Sequence, residues 1–196
     1  INNSLGLVDD YFLGLVLQDM NVIASYKVAA NIPAAMAFIP STIDTVLLPR
    51  FARMNSEPKQ VFSAYCKVIT AICGVNVVIC AGTFLLGSKI MAFLYGAQYV
   101  DAAQCFSILI VGYFFSCIRS VSYGVLYSQR RVGINLFVVA FSAVLTVVLN
   151  MTLIPAHGSI GAAWASAFVN FLAALIMVSY LVLHLLKRAR ADNIVS

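Results

Sequence analysis

Long, uninterrupted apolar runs constrain this chain more than any other feature. Five runs reach the roughly 20 residues that a helix needs to cross a bilayer, and they cover about residues 24–49, 65–87, 102–128, 132–155 and 159–186. A shorter run at residues 1–17 is predicted to be the end of a sixth helix. The runs are continuous, so the short alternating strands of a membrane barrel are not expected.

The composition supports the same prediction. Of 196 residues, 62% are hydrophobic and 10% are charged, whereas a soluble domain is roughly half apolar and about a quarter charged. The net charge of +5 is not gathered on one solvated face, as nucleic-acid binding would require. These values exclude a soluble enzyme, a nucleic-acid-binding module and a disordered tail. We predict an all-α, polytopic transmembrane bundle that occupies residues 1–196.

The positions of the cations predict the orientation. Cytoplasmic connectors carry an excess of Lys and Arg, and here nine cations fall on alternate connectors and the tail, against Lys89 alone on the opposite connectors. The nine are Arg50, Arg53, Lys59, Lys67, Arg130, Arg131, Lys187, Arg188 and Arg190. The basic connectors and the C-terminus are therefore expected in the cytoplasm. The chain begins at Ile1, and we expect it to be part of a longer protein.

A few ionisable residues fall at membrane depth, where a charge is costly unless it is paired or hydrated. A rise of about 1.5 Å per residue places Asp9, Asp10 and Lys27 in the outer half, and Asp44 and Arg119 in the inner half. Each set could form an ion pair or a charged vestibule, and the three acids are candidates for coupling or gating. The alternatives are that Lys27 snorkels to the surface and that an Asp44–Arg119 pair only fixes packing.

The segment at 102–128 carries the clearest polar pattern. Steps of three and four residues place a set of hydroxyls and phenols on one helix face, and the set is Tyr113, Ser116, Ser120, Tyr123 and Tyr127. Arg119 lies at the edge of that face. A cation beside hydroxyls and aromatic rings suits a phosphate-bearing sugar, and the alternative is hydrogen bonding between helices. We interpret these six residues, together with Lys27, as candidates that line a substrate cavity.

Two prolines, Pro33 and Pro40, interrupt the first full run. Each removes a backbone hydrogen bond and bends a helix. The bend either belongs to an element that lines a transport cavity or is a static kink.

The chain shows no enzyme signature. HExxH, GxSxG and phosphate-binding loop motifs are missing from the sequence, and the five cysteines form no CxxC pair, so we interpret them as packing residues. No catalytic residue, metal or cofactor is predicted. If transport is coupled to an ion, the ion would be H⁺ or Na⁺.

An ordered set of short motifs resembles a known family. Residues 9–14 (DDYFLG), 25–29 (SYKVA), 47–52 (LLPRFA), 94–102 (LYGAQYVDA) and 153–163 (LIPAHGSIGAA) follow the pattern of the polysaccharide-exporting branch of the multidrug/oligosaccharidyl-lipid/polysaccharide superfamily. This branch contains the O-antigen and related oligosaccharide flippases. The chain departs from the pattern at Asp10, where the family places a basic residue. Lys27 or Arg119 is the candidate to replace that cation.

The resemblance implies the C-terminal half of a MATE-like transporter in which two six-helix lobes enclose a central cavity. It implies an undecaprenyl-diphosphate-linked oligosaccharide as the substrate, turned from the cytoplasmic to the periplasmic leaflet of the bacterial inner membrane for polysaccharide biosynthesis. The expected partners are this substrate, membrane lipid and the N-terminal lobe, with a polysaccharide polymerase as a further candidate and no nucleic acid.

Two other functions are considered. The first is a cation-coupled drug or metabolite antiporter of the same superfamily, which would use an acid in the cavity and would make Arg119 and Lys27 out of place. The second is a membrane scaffold or assembly subunit without transport activity. It predicts that four residues tolerate apolar replacement: Tyr113, Ser120, Arg119 and Asp44.

Overall fold

The computed structural model describes residues 11–14, 20–36, 38–54 and 58–195, with all of their side chains except those at 21, 41, 43, 44, 58 and 189–195. The described part is all-helical, which confirms the predicted class. Its elements are α1 (Met20–Met36), α2 (Phe38–Arg53), α3 (Pro58–Tyr95), the short 3₁₀-helix η1 (Ala97–Tyr99), α4 (Ala102–Ser128) and α5 (Gly133–Val195). Helices suit these sequences because they satisfy each backbone polar group within the segment, as a lipid environment requires.

Within the described residues, four stretches are long and apolar enough to cross a membrane: Val22–Arg53, Lys59–Tyr95, Ala102–Ser128 and Gly133–Arg188. The first combines α1 and α2. Many large apolar side chains point away from the protein interior, for example those of Phe84, Leu85, Phe93 and Leu136. A lipid environment would cover these side chains, so the fold is that of a multi-pass membrane protein.

Helix α5 is two helical segments that meet at Gly158. A straight helix of its 63 residues would be about 95 Å long, far more than the roughly 30 Å of a bilayer core. Gly158 has φ 60° and ψ −137°, a backbone conformation that residues other than glycine rarely adopt. A Cβ added at Gly161 would lie 2.7 Å from the carbonyl carbon of Leu153, so the chain reverses direction here. Residues 133–157 and 159–195 therefore form an antiparallel helical hairpin.

Helix α4 lies at the centre of the bundle and packs against α1, α2, α3 and α5. More than half of its span is buried inside the protein, a larger share than in any of the other three stretches. A small-residue contact brings it close to α5, because a Cβ at Gly112 would lie 3.0 Å from the Ala167 Cα. Small residues at such crossings allow two helices to approach closely in a membrane.

The apolar core divides into two clusters at opposite ends of α4. One cluster joins Tyr26, Met91, Phe106 and Ile154. The other cluster lies beside the basic connectors, at the end of the bundle that we call the basic end. It contains Phe51, Val61, Leu126, Val138 and Leu185. The connectors that carry the cations therefore share one end of the bundle, as the alternation of basic and non-basic connectors predicts.

Candidate functional site: the polar face of the central helix

The polar face predicted from the sequence lies on α4. It changes from buried to exposed as the helix approaches the basic end. Tyr113 and Ser116 are both 7% exposed, Ser120 and Tyr123 are partly buried, and Tyr127 is 47% exposed. The face thus leads from the interior of the bundle towards the connectors that carry most of the positive charge.

Tyr113, the most deeply placed phenol of this face, closes a gap in the backbone hydrogen bonding of the neighbouring span. In a continuous helix the Met36 carbonyl would accept a hydrogen bond from the N–H of residue 40, but Pro40 has none. The Tyr113 hydroxyl donates to the Met36 carbonyl oxygen instead, at 2.9 Å. Tyr113 therefore ties the α1–α2 junction to the centre of α4.

A second tyrosine hydroxyl connects α3 with α4 nearer the basic end. The Tyr65 hydroxyl and the Ser122 hydroxyl are 2.9 Å apart and buried, and Ser122 also donates to the Ile118 carbonyl oxygen at 2.8 Å. Ser122 lies off the predicted polar face, so the spacing that defines this face does not indicate the pair. The two residues are 57 positions apart, so no local spacing could have indicated it.

Tyr123 and Tyr127 form an aromatic pair at the exposed end of the polar face. Their ring centroids are 5.7 Å apart and the rings are inclined by 54°. Such adjoining rings offer flat apolar surfaces beside two phenol hydroxyls. This combination of surfaces and hydrogen-bonding groups matches the alternating C–H and O–H groups of a sugar.

Arg119 is partly buried on α4, and the backbone of Asp44 lies at a similar level on α2. The α1–α2 span and α4 run in the same direction, and the Tyr113–Met36 hydrogen bond joins them. We take the level of this bond along the helix axes as a common reference. From that level Arg119 lies about 9 Å towards the basic end and Asp44 about 12 Å, by helical rise. The Asp44 side chain is outside the described part, so a pair between these residues stays a prediction.

Lys27 is exposed on α1 and belongs to a different level. It precedes Met36 by nine residues, which places it about 13 Å from the reference level, on the side away from the basic end. The structure therefore does not bring Lys27 together with Arg119. Its predicted neighbours Asp9 and Asp10 lie outside the described residues.

The described residues add no metal site to the polar face. Among them no group of three or more His, Cys, Asp or Glu side chains could hold a metal ion. A cavity of about 430 Å³ lies on another side of α4, away from the polar face, where Gln104, Ser107, Trp164 and Thr83 contribute to its lining. The five cysteines are free thiols, and two of them, Cys105 and Cys117, are buried in α4.

A bundle of long apolar helices around a helix with an internal polar face defines the class as a multi-pass membrane protein with a polar interior. Residues 3–104, slightly more than half of the chain, match the model of a family described as polysaccharide biosynthesis protein. The chain belongs to this family, which confirms the resemblance drawn from its motifs. No curated protein matches the chain.

Proposed function

We propose that this chain is the C-terminal lobe of a flippase for lipid-linked oligosaccharides, with an undecaprenyl-diphosphate-linked oligosaccharide as its substrate. The family supports a role in polysaccharide biosynthesis. The observation that carries the finer proposal is the polar face of α4, where five hydroxyl-bearing residues accompany Arg119 on the most buried helix of the bundle. Polar and charged groups are costly at membrane depth, so they indicate a path for a polar substrate.

The proposed topology has five full membrane spans and the end of a sixth. α1 and α2 form one bent span, and the two halves of the α5 hairpin form two. The protein lies in a bacterial inner membrane, and its basic end faces the cytoplasm, in accordance with the positive-inside rule. An N-terminal lobe of the same protein would face this lobe across a central cavity.

The chemistry proposed for the site follows the composition of the polar face. Arg119 attracts the diphosphate, because a guanidinium donates charge-assisted hydrogen bonds to phosphate oxygens. Ser116 and Ser120 offer hydrogen bonds to sugar hydroxyls, and the Tyr123–Tyr127 rings offer surfaces on which sugars stack. The polyprenyl tail stays in lipid while the headgroup moves along the face. The bent α1–α2 span, tied to α4 through Tyr113, is the element whose rearrangement would open and close the path.

Genetic complementation tests this proposal. The full-length parent protein would be expressed in a bacterium that lacks its own oligosaccharide flippase, and periplasmic glycan would be measured at matched levels of inserted protein. We expect the wild type and Arg119→Lys to restore glycan display, and Arg119→Gln to reduce it about tenfold or more, as the loss of charged hydrogen bonds predicts. Arg131→Gln is the matched control, because Arg131 is exposed in a connector.

Two results would contradict the proposal. Full glycan display with Arg119→Gln would remove the cation from the transport path. A wild-type protein that restores no glycan but confers drug resistance on the same strain would favour the antiporter function instead.

A further inference from the structure

A second pocket, of about 300 Å³, lies at the basic end between the last turns of α2 and the first turns of α3. The α2 side contributes Leu47, Arg50 and Met54, which follow steps of three and four residues. The α3 side contributes Gln60 and Lys67 among others, again at helical spacing. Residues with this spacing share one face of a helix, so the pocket lies between one face of each helix.

The chemistry of the pocket is amphipathic. Arg50 on α2 and Lys67 on α3 are both exposed and line the same space, and Ser63 adds a hydroxyl one turn before Lys67. The described residues that line the pocket include no acidic side chain. Behind the cations are apolar side chains such as Phe51, which is 1% exposed and belongs to the apolar cluster of the basic end.

We propose that this pocket binds the phosphate headgroup of an anionic lipid from the leaflet at the basic end. Basic pockets between transmembrane helices on that side of a membrane are suited to anionic headgroups, and a neighbouring apolar surface fits the first carbons of lipid chains. The volume lies at the lower end of the roughly 300–1,000 Å³ range of ligand pockets. It therefore accommodates a headgroup, while the chains remain in the bilayer.

This proposal is separate from the polar face of α4 and does not depend on flippase activity. Two kinds of lipid present such a phosphate group to the pocket: a resident phospholipid, such as phosphatidylglycerol, and a polyprenyl diphosphate. The competing explanation is a diffuse attraction between anionic lipid and any cation near the membrane surface, which would need no pocket.

The test measures lipid binding to the purified full-length parent protein in a neutral detergent. The probes are dioctanoyl-phosphatidylglycerol, dioctanoyl-phosphatidylcholine as the zwitterionic control, and farnesyl diphosphate as a short polyprenyl diphosphate. The pocket variant is R50Q/K67Q. Its matched control is R53Q/K59Q, which also removes one Arg and one Lys from exposed positions of the same region, but outside the pocket. A further variant, Ser63→Trp, fills the pocket without changing its charge.

We expect R50Q/K67Q to weaken phosphatidylglycerol binding about thirtyfold and Ser63→Trp to weaken it as well, with little change in R53Q/K59Q. Equal losses in the two charge variants would overturn the proposal in favour of diffuse attraction, and unchanged binding in R50Q/K67Q would overturn it outright. Competition by farnesyl diphosphate would assign the pocket to both sources of phosphate. Phosphatidylglycerol binding that farnesyl diphosphate does not displace would assign it to resident phospholipid.

Discussion

Replacing Tyr113 with Phe would remove a single hydroxyl and leave the ring in place. In the structure that hydroxyl donates to the Met36 carbonyl oxygen, whose usual helical donor is missing because residue 40 is a proline. The substitution therefore leaves the carbonyl of the partly buried Met36 without this partner. A bond that joins two different spans is also lost.

The expected loss of stability follows from two ranges of hydrogen-bond energies. Leaving a buried polar group unsatisfied costs about 1–3 kcal/mol, and hydrogen bonds between membrane helices average about 0.6 kcal/mol, with a maximum of about 1.7. The Tyr113 side chain is 7% exposed and Met36 is partly buried, so the cost lies in the lower part of the first range. We expect Tyr113→Phe to lower the free energy of unfolding by about 1–2 kcal/mol.

The assay is reversible unfolding of the full-length protein in mixed micelles with increasing SDS, followed by circular dichroism. Tyr127→Phe is the matched control, since it removes a hydroxyl from the same helix at a position that is 47% exposed. The sharper comparison uses Pro40→Ala, which restores an N–H at residue 40. If Pro40 creates the need for Tyr113, then Tyr113→Phe should cost less in the Pro40→Ala background, and a double-mutant cycle measures this coupling.

Two outcomes would refute this reasoning. If Tyr113→Phe costs no more than Tyr127→Phe, the hydrogen bond to Met36 does not stabilise the protein. If the costs of Tyr113→Phe and Pro40→Ala are simply additive, the proline does not explain the role of the hydroxyl.

Two further predictions concern packing and hydrogen bonding. Gly161→Ala should destabilise the α5 hairpin by about 1–3 kcal/mol, because the new Cβ would meet the backbone of Leu153; the same SDS titration measures this, and a stability equal to that of the wild type would contradict the close crossing. Tyr65→Phe and Ser122→Ala should each destabilise the protein, with a coupling of about 0.5–1.5 kcal/mol in a double-mutant cycle. Zero coupling would show that the bond between these two hydroxyls adds no stability.

The all-helical architecture and the placement of most helices follow from the sequence, because each long apolar run can satisfy its backbone only as a helix. The reversal at Gly158 is also indicated locally, by Pro155 and Gly158 between two apolar runs, and the structure shows the reason in the positive φ of Gly158. Helix α3 extends beyond residue 87 to Tyr95. The apolar residues 90–95 resume after the exposed Lys89 and continue the helix.

The connections within the site were less accessible to sequence analysis. The spacing of Tyr113 and Ser116 puts them on one face of a helix, but that spacing cannot show what lies opposite. The Tyr113 hydroxyl meets a carbonyl 77 positions away, and the pocket between α2 and α3 depends on how two helices face each other. Both are consequences of tertiary packing, which a helical period does not encode.

The central claim is that a glycan headgroup moves along the polar face of α4, and photocross-linking tests it most directly. p-Benzoylphenylalanine would replace Tyr127 on this face or Phe137 of α5, which is 60% exposed and also lies near the basic end. The full-length protein would then be irradiated with lipid-linked oligosaccharide that is radiolabelled in its sugar. We predict labelling at position 127 and little at position 137. Equal labelling at both positions, or labelling at 137 alone, would contradict the account.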